Sequence, residues 1–247
     1  MSEKYDKYIV TGYHLEENLF NREEVNDILL TIEKFTERNK EKMLIYDINY
    51  TPDGKINTIH CLHKFETLFF DYFNNNTRLK NICKELLNEE DIEIMAIEAF
   101  LKPSGVGMAS PIHQDNYLWC LEKPNALTCW VALDEIDGSN GGLKLYPGSH
   151  KLGLLNHIPS YKPGTSQTID EKEYGKFDIN SYINNKLSPG YVQFHHSEMI
   201  HGSNENKTNN SRRVITFQVK PKNINKDPFK EKNYRESLLK QQNKLKK

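Results

Sequence analysis

Leu127-Thr128-Cys129-Trp130-Val131-Ala132-Leu133-Asp134 is a run of apolar, aromatic and β-branched side chains, and Asp137-Gly138-Ser139-Asn140-Gly141-Gly142 follows it closely. A short run of that composition, closed by Gly, Asn and Asp, predicts a strand that ends in a tight turn. The pattern repeats on both sides, at 92–102, 117–121, 143–146, 190–195 and 214–219. Pro103-Ser104-Gly105 and Pro147-Gly148-Ser149 are among the breaks between these runs. Many short strands with regular turn signals predict a mainly β architecture, a barrel or a two-sheet sandwich.

Upstream the pattern is mixed. Residues 8–12 read as a short strand. Asn21 opens a helix, with Glu24 three residues on as the second half of a capping box, and Val25, Ile28, Leu29, Ile32 and Phe35 follow at helical spacing to an end near Lys40. Residues 43–50 look extended, and helices are predicted over 64–74 and 77–88, either side of Asn74-Asn75-Asn76. Downstream, 151–186 is polar, carries two prolines and shows no period. A connection that long is a candidate substrate lid or a surface excursion. We therefore expect one domain over 1–247, with a helical and mixed scaffold at 1–91, a β core at 92–221 and a basic tail at 222–247.

Composition narrows the function. The 247 residues carry a formal charge of −1, which gives no reason to expect a nucleic acid or a membrane as partner. Nine Lys/Arg against three Asp/Glu from Lys222 onward make the tail +6 and the remainder −7, and a solvated helix accounts for such a tail. No apolar run approaches a membrane span, the N-terminus lacks the apolar core of a signal peptide, and the four cysteines form no CxxC pair. A cytoplasmic location, a small-molecule substrate and a monomer or homodimer are the expectations.

The chemistry begins at His113-Gln114-Asp115. On a strand, residues two apart point to the same side, so this imidazole and carboxylate can reach one metal. A second His from a neighbouring strand would complete a 2-His-1-carboxylate face with open positions, the donor set of non-haem iron(II) oxygenases. His-x-Asp alone is weak evidence, and a surface hydrogen bond explains it equally well.

The ordered series is more specific. After His113-Gln114-Asp115 come 127–134, Asn140-Gly141-Gly142-Leu143, Tyr146-Pro147-Gly148-Ser149-His150, Leu187-Ser188-Pro189-Gly190, His201-Gly202-Ser203, Asn206 and Arg212. Over residues 92–219 this resembles the phytanoyl-CoA dioxygenase-like (PhyH) family of iron(II)/2-oxoglutarate-dependent oxygenases. The resemblance implies a double-stranded β-helix, a cupin-like jelly roll, with flanking helices that are mostly N-terminal. It implies Fe(II), 2-oxoglutarate as co-substrate and O2. His113, Asp115 and His201 match the iron triad, and Arg212, eleven positions after His201, matches the arginine that grips the far carboxylate of 2-oxoglutarate. Ser203, Gln114 and Trp130 fall at co-substrate pocket positions, and Glu98 aligns with another. Relatives with Ala or Gly at the carboxylate position act as halogenases, so Asp115 implies hydroxylation, with release of succinate and CO2. Desaturation, epimerisation or cyclisation with the same cofactors stays open, as does a cupin-like metal-binding sensor without turnover.

Several residues carry a plainer expectation. Adjacent strand residues face opposite ways, so one of Arg212 and Arg213, and at most one of His195 and His196, can enter a barrel. His150 belongs to a turn, Asn206 caps one, and Tyr117, Trp119 and Tyr146 are expected in the core or the substrate wall. His157, Tyr161, Lys162 and Tyr174 belong to the candidate lid.

Overall fold

The computed structural model describes residues 2–44, 46–162 and 164–245. In chain order the elements are α1 (Glu3–Thr11), β1 (Tyr13–Glu16), α2 (Arg22–Asn39), β2 (Ile48–Tyr50), β3 (Ile56–Ile59), α3 (Phe69–Asn74), α4 (Thr77–Leu87), β4 (Ile92–Phe100) and β5 (Ser110–His113). They continue with α5 (Asp115–Trp119), β6 (Leu127–Ala132), β7 (Leu143–Leu145), β8 (His157–Lys162), β9 (Thr165–Ile169), β10 (Ile183–Asn184), β11 (Val192–His196), β12 (His201–Ser203), β13 (Val214–Pro221) and α6 (Pro228–Leu245). A seven-stranded sheet in the order β1-β11-β6-β13-β4-β3-β2 faces a four-stranded sheet in the order β10-β7-β12-β5, and β8-β9 forms a separate hairpin. All the paired strands are antiparallel, and the two sheets make the sandwich that the repeated short strands predicted and the jelly roll that the family resemblance implied.

The large sheet is covered on both faces, which explains why all six residues of β6 are buried. Leu127, Cys129 and Val131 of β6 join Ile215, Phe217 and Val219 of β13 in a core packed against α2, α3 and α4. Phe73 meets Phe217 there at a centroid distance of 5.7 Å, and Phe35 meets Phe69 edge-on at 5.5 Å. Cys83 and Cys129 touch inside this core as free thiols, Sγ to Sγ 3.3 Å. The alternate residues point into the roll. Trp130, Ala132 and Val214 build its apolar end with Leu143, Leu145 and Met199, whereas Thr128, His195, Gln218 and Glu98 make the rest of that inner face polar. An apolar end and a polar end within one roll place the functional site.

The capping box at α2 is present in both directions, Glu24 N to Asn21 Oδ1 and Asn21 N to a Glu24 carboxylate oxygen. Other expectations are corrected. Residues 8–12 are helical: Ser2 caps α1, Glu3 and Asp6 suit its first turn, and Gly12 at φ +77° closes it. A short apolar run cannot tell a strand from a buried helix turn, and Tyr8 is buried either way. Residues 117–121 are not a strand, because α5 occupies Asp115–Trp119 and Cys120 ends it in the left-handed region. Asn116 decides this locally, donating to Glu198 Oε1 and accepting from Leu121 N. The helix expected over 64–74 begins only at Phe69, and 43–50 is a strand only at Ile48–Tyr50. The region 1–91 is more than a scaffold, for β1, β2 and β3 supply both edges of the large sheet. The stretch 151–186 holds the β8–β9 hairpin, whose outer side packs on α6 through Ser237 to Gln167 Oε1 and Gln241 to the backbone of Lys162 and Thr165.

Gly190 shows why one turn needs glycine. It sits at φ +90°, donates to Ala132 O, and accepts from Leu19 N and Phe20 N at 3.0 and 3.1 Å. A Cβ there would lie 2.0 Å from Phe20 O. Backbone strain plus a clash that no flexible side chain can relieve predicts that Gly190→Ala costs on the order of 3 kcal/mol, read as a lower urea midpoint at unchanged slope.

Candidate metal centre and co-substrate pocket

β5 and β12 pair antiparallel with His113 directly opposite His201, which points both imidazoles the same way with ring centroids 4.3 Å apart. β5 stops at His113, Gln114 is extended, and Asp115 begins α5. The carboxylate therefore comes from a helical first turn instead of the same strand, a correction to the expected geometry. Asp115 Oδ1 lies 3.7 Å from His113 Nε2 and 3.5 Å from His201 Nε2. One donor atom from each of the three residues lies within 4.8 Å of the others.

The hydrogen bonds around the triad fix which atoms face inward. His113 Nδ1 is 2.8 Å from Pro111 O and His201 Nδ1 is 2.9 Å from Met199 O. A carbonyl only accepts, so each Nδ1 carries the hydrogen and each Nε2 presents a lone pair. Burial lowers both imidazoles to about 4. For His113 the charge of His201 adds to this and Asp115 opposes it; for His201 Asp115 opposes it. Burial works to raise Asp115, but the imidazoles of His201 and His195 outweigh it and hold the carboxyl well below its usual range. Thr128 Oγ1 donates to Asp115 Oδ2 at 2.7 Å, and His195 Nε2 stands 3.3 Å from the same oxygen. Oδ2 is thus committed to the protein and Oδ1 is left to face the two Nε2 atoms. Two neutral imidazoles and one ionised carboxylate oxygen on a single face suit iron(II) with open positions.

Two residues beyond His201, on the same face of β12, a second corner holds positive charge. Arg212 is 2% exposed, its Cζ lies 5.4 Å from the Trp130 ring centroid, and its Nε and Nη1 have no hydrogen-bond partner among the described residues. Lys102, 3% exposed, donates from Nζ to Ser203 Oγ at 2.7 Å and to Asn204 O. Burial lowers Arg212 to about 9 and Lys102 to about 5, and for Lys102 the neighbouring Arg212 charge adds to the effect. Among the described residues no carboxylate comes within 4.0 Å of either cation. Unpartnered buried donors on the Arg212 guanidinium, with the Lys102 amine close by, form a cradle for a carboxylate. Arg213 faces outward, with Nε and Nη2 bonded to Asp134 at 2.9 and 2.7 Å, as strand alternation requires.

Other predicted residues sit elsewhere. Gln114 is fully buried, but Nε2 donates to Gly153 O and Glu198 O while Oε1 accepts from Leu155 N, each at 2.8 Å. Both amide hydrogens are spent on backbone, so Gln114 clamps loops and cannot donate to a co-substrate. Glu98 is bound by His60 Nδ1 at 2.9 Å and Gln218 Nε2 at 3.1 Å, and a carboxylate would repel a dicarboxylate, so it does not belong to the cationic corner. Of the adjacent histidines, His195 turns inward to Asp115, whereas His196 turns outward and packs near Tyr8 and His150. His150 bonds Ile9 O, and Asn206, fully buried, ties Lys102 O and Asn210 O together. Tyr146 and Trp119 pack in small apolar clusters, while Tyr117 stacks on His157 at 4.2 Å. Sequence reasoning missed Lys102 and Thr128, because a lysine at a strand end and a threonine inside one are common and carry no distinguishing neighbour.

Comparison with known proteins agrees with this geometry. The family model for phytanoyl-CoA dioxygenase (PhyH) matches residues 8–214. The chain is 30% identical over 165 residues to phytanoyl-CoA dioxygenase domain-containing protein 1 of Danio rerio, covering 65% of this chain and 55% of that protein. It is 34% identical over 131 residues to the peroxisomal phytanoyl-CoA dioxygenase of Mus musculus, covering 50% and 38%. The chain thus spans about half the length of the curated relatives it matches, or less. Among solved structures, EctD from S. alaskensis with 2-oxoglutarate and 5-hydroxyectoine superposes with a TM-score of 0.72 at 20% identity, over 90% of this chain and 76% of that one. The carbocyclase SnoK from nogalamycin biosynthesis gives 0.73 at 16%, over 92% and 87%. These likenesses show the fold.

Proposed function

Since the chain belongs to the phytanoyl-CoA dioxygenase (PhyH) family, we propose that it is an iron(II)- and 2-oxoglutarate-dependent dioxygenase that hydroxylates an unactivated C–H bond of a small or medium metabolite, releasing succinate and CO2. The observation that carries this is the pairing of a three-donor face with an unpartnered cationic corner one strand repeat away. Two residues of strand span roughly 6.6 Å, a fair match to a five-carbon dicarboxylate held at both ends.

His113, Asp115 and His201 would hold the metal, and Arg212, Lys102 and Ser203 the far carboxylate of the co-substrate. Bound there, iron and 2-oxoglutarate supply the activation of O2. The protein orients and excludes: Thr128 and His195 fix Asp115, Trp130 covers the guanidinium, and Leu143, Leu145 and Met199 keep the adjoining end dry. The β8–β9 hairpin and α6 serve as the cover over the substrate. Epimerisation or ring closure uses the same residues, and solved neighbours carry the descriptions epimerase and carbocyclase. Analysis of the oxidised product separates these outcomes.

The test is an anaerobic titration of iron(II) and 2-oxoglutarate into metal-free protein, following the visible charge-transfer band of the chelate. A band at one equivalent of each supports the proposal; bound iron without a band moves the metal-binding sensor to the front. The cationic corner adds a proton-linkage prediction. Lys102, lowered to about 5, is neutral at pH 7, and a carboxylate placed beside it restores its charge. Binding of 2-oxoglutarate at pH 7 is therefore expected to be accompanied by proton uptake. Calorimetry in two buffers of different ionisation enthalpy measures it, and no buffer dependence would remove Lys102 from the corner.

A further inference from the structure

One polar cluster on the inner face of the large sheet is used by neither the metal nor the co-substrate. The ladder sets Gln218 opposite Thr128 and Thr216 opposite Glu98, so Glu98 and Gln218 face the same interior as the residues that hold Asp115. Glu98 Oε2 accepts from Gln218 Nε2 at 3.1 Å, and Oε1 meets His60 Nδ1 at 2.9 Å. His60, just beyond β3, packs edge-on to Phe100 at 6.2 Å. The cluster is not sealed: the His60 side chain is 23% exposed and that of Glu98 16%. A second group is aromatic: Tyr117 stacks on His157, and Tyr234 of α6 lies edge-on to Tyr117 at 6.2 Å with its hydroxyl 3.3 Å from Ser166 Oγ. His157 Nε2 accepts from Gln114 N at 3.0 Å, next in the chain to His113, so the aromatic pair stands beside the same triad that the inner face of the large sheet supports through Thr128 and His195.

Each oxygen of this carboxylate holds one protein donor, and each can accept another. An alkyl chain laid over it would strip water from those lone pairs and return nothing. We propose that Glu98, held in place by His60 and Gln218, accepts a hydrogen bond from an N–H or O–H group of the substrate. The substrate is thereby a small polar molecule, an amine or an alcohol, whose apolar part lies against Phe100, Tyr117 and Tyr234. This rests on the oxygenase reading of the triad and narrows it, setting aside a long acyl chain.

The experiment loads the full chain and its Glu98→Ala and Glu98→Gln variants anaerobically with iron(II) and 2-oxoglutarate. The chelate band reports folding and loading in each protein, and its shift reports a probe settling beside the metal. The probes are the free amino acids with simple amines, a set of sugars and polyols, and palmitoyl-CoA. A member of the first two sets is expected to shift the band in the native protein, with apparent affinity at least tenfold weaker in Glu98→Ala. An amine is equally weakened by Glu98→Gln, which loses the charge, whereas an alcohol is partly retained through the remaining amide oxygen. A shift by palmitoyl-CoA that is equal in native protein and Glu98→Ala overturns the proposal, as does a band that no amine or alcohol moves. Absence of the band in the native protein overturns the oxygenase reading itself, and this proposal with it.

Discussion

Arg212→Ala is expected to weaken 2-oxoglutarate binding by on the order of a thousandfold while leaving the metal in place. Each charge-assisted hydrogen bond contributes about 1.5–3 kcal/mol, and the guanidinium offers two atoms with no other partner among the described residues. Two such bonds amount to about 4 kcal/mol, which is close to a factor of a thousand. Lys102 and Ser203 remain, so binding is weakened but not erased. Because Arg212 Nε and Nη1 bond nothing among the described residues, their removal breaks no hydrogen bond there and the fold should survive. Arg212→Lys should recover little, for a second ammonium beside Lys102 lacks the paired donors and adds repulsion. Calorimetric titration of 2-oxoglutarate into nickel-loaded protein measures the loss. Affinity within threefold of native would place the co-substrate carboxylate elsewhere.

The second large effect is on the metal. In native protein, a metal ion at a hundred times its dissociation constant is expected to stabilise the fold by about 2.7 kcal/mol, seen as a rise in melting temperature. His201→Ala should abolish that rise and reduce turnover to background, since two donors no longer define a face. The register pairs His201 with His113 across the ladder, so alanine removes a ligand without disturbing backbone pairing. A metal-dependent rise that persists in the variant would falsify the placement of the ion at this triad.

Much of this was legible in the chain because strand alternation is a strict rule. It separates Arg212 from Arg213 and His195 from His196 without any structure, and the observed contacts follow it. The Asn21–Glu24 box is a local signal, and it too appears as read. What was illegible depends on partners distant in sequence. α1 and α5 look like strands because runs of five to nine residues lack the length to show a period, and Ser2, Gly12 and Asn116 decide them through specific bonds. Gln114 falls at a pocket position by alignment, yet its amide is taken by the backbone of Gly153, Glu198 and Leu155. Lys102 reaches Ser203 only through the fold, so no spacing announces it. Among the described residues, no helix is long and apolar enough to cross a membrane.

β12 is three residues long, and its pairing with β5 slips between His201 and Ser203. It is nonetheless an inner strand, paired with β7 on one side and β5 on the other, and all three of its residues are buried. That segment carries both a candidate metal ligand, His201, and a hydroxyl of the cationic corner, Ser203. An ion held at the triad would therefore leave only with a local opening of β12 that also disturbs the cationic corner. A dicarboxylate anchored at Arg212 and Ser203 would tie β12 to the segment that enters β13, and co-substrate is expected to slow the escape of metal by clamping that door from inside.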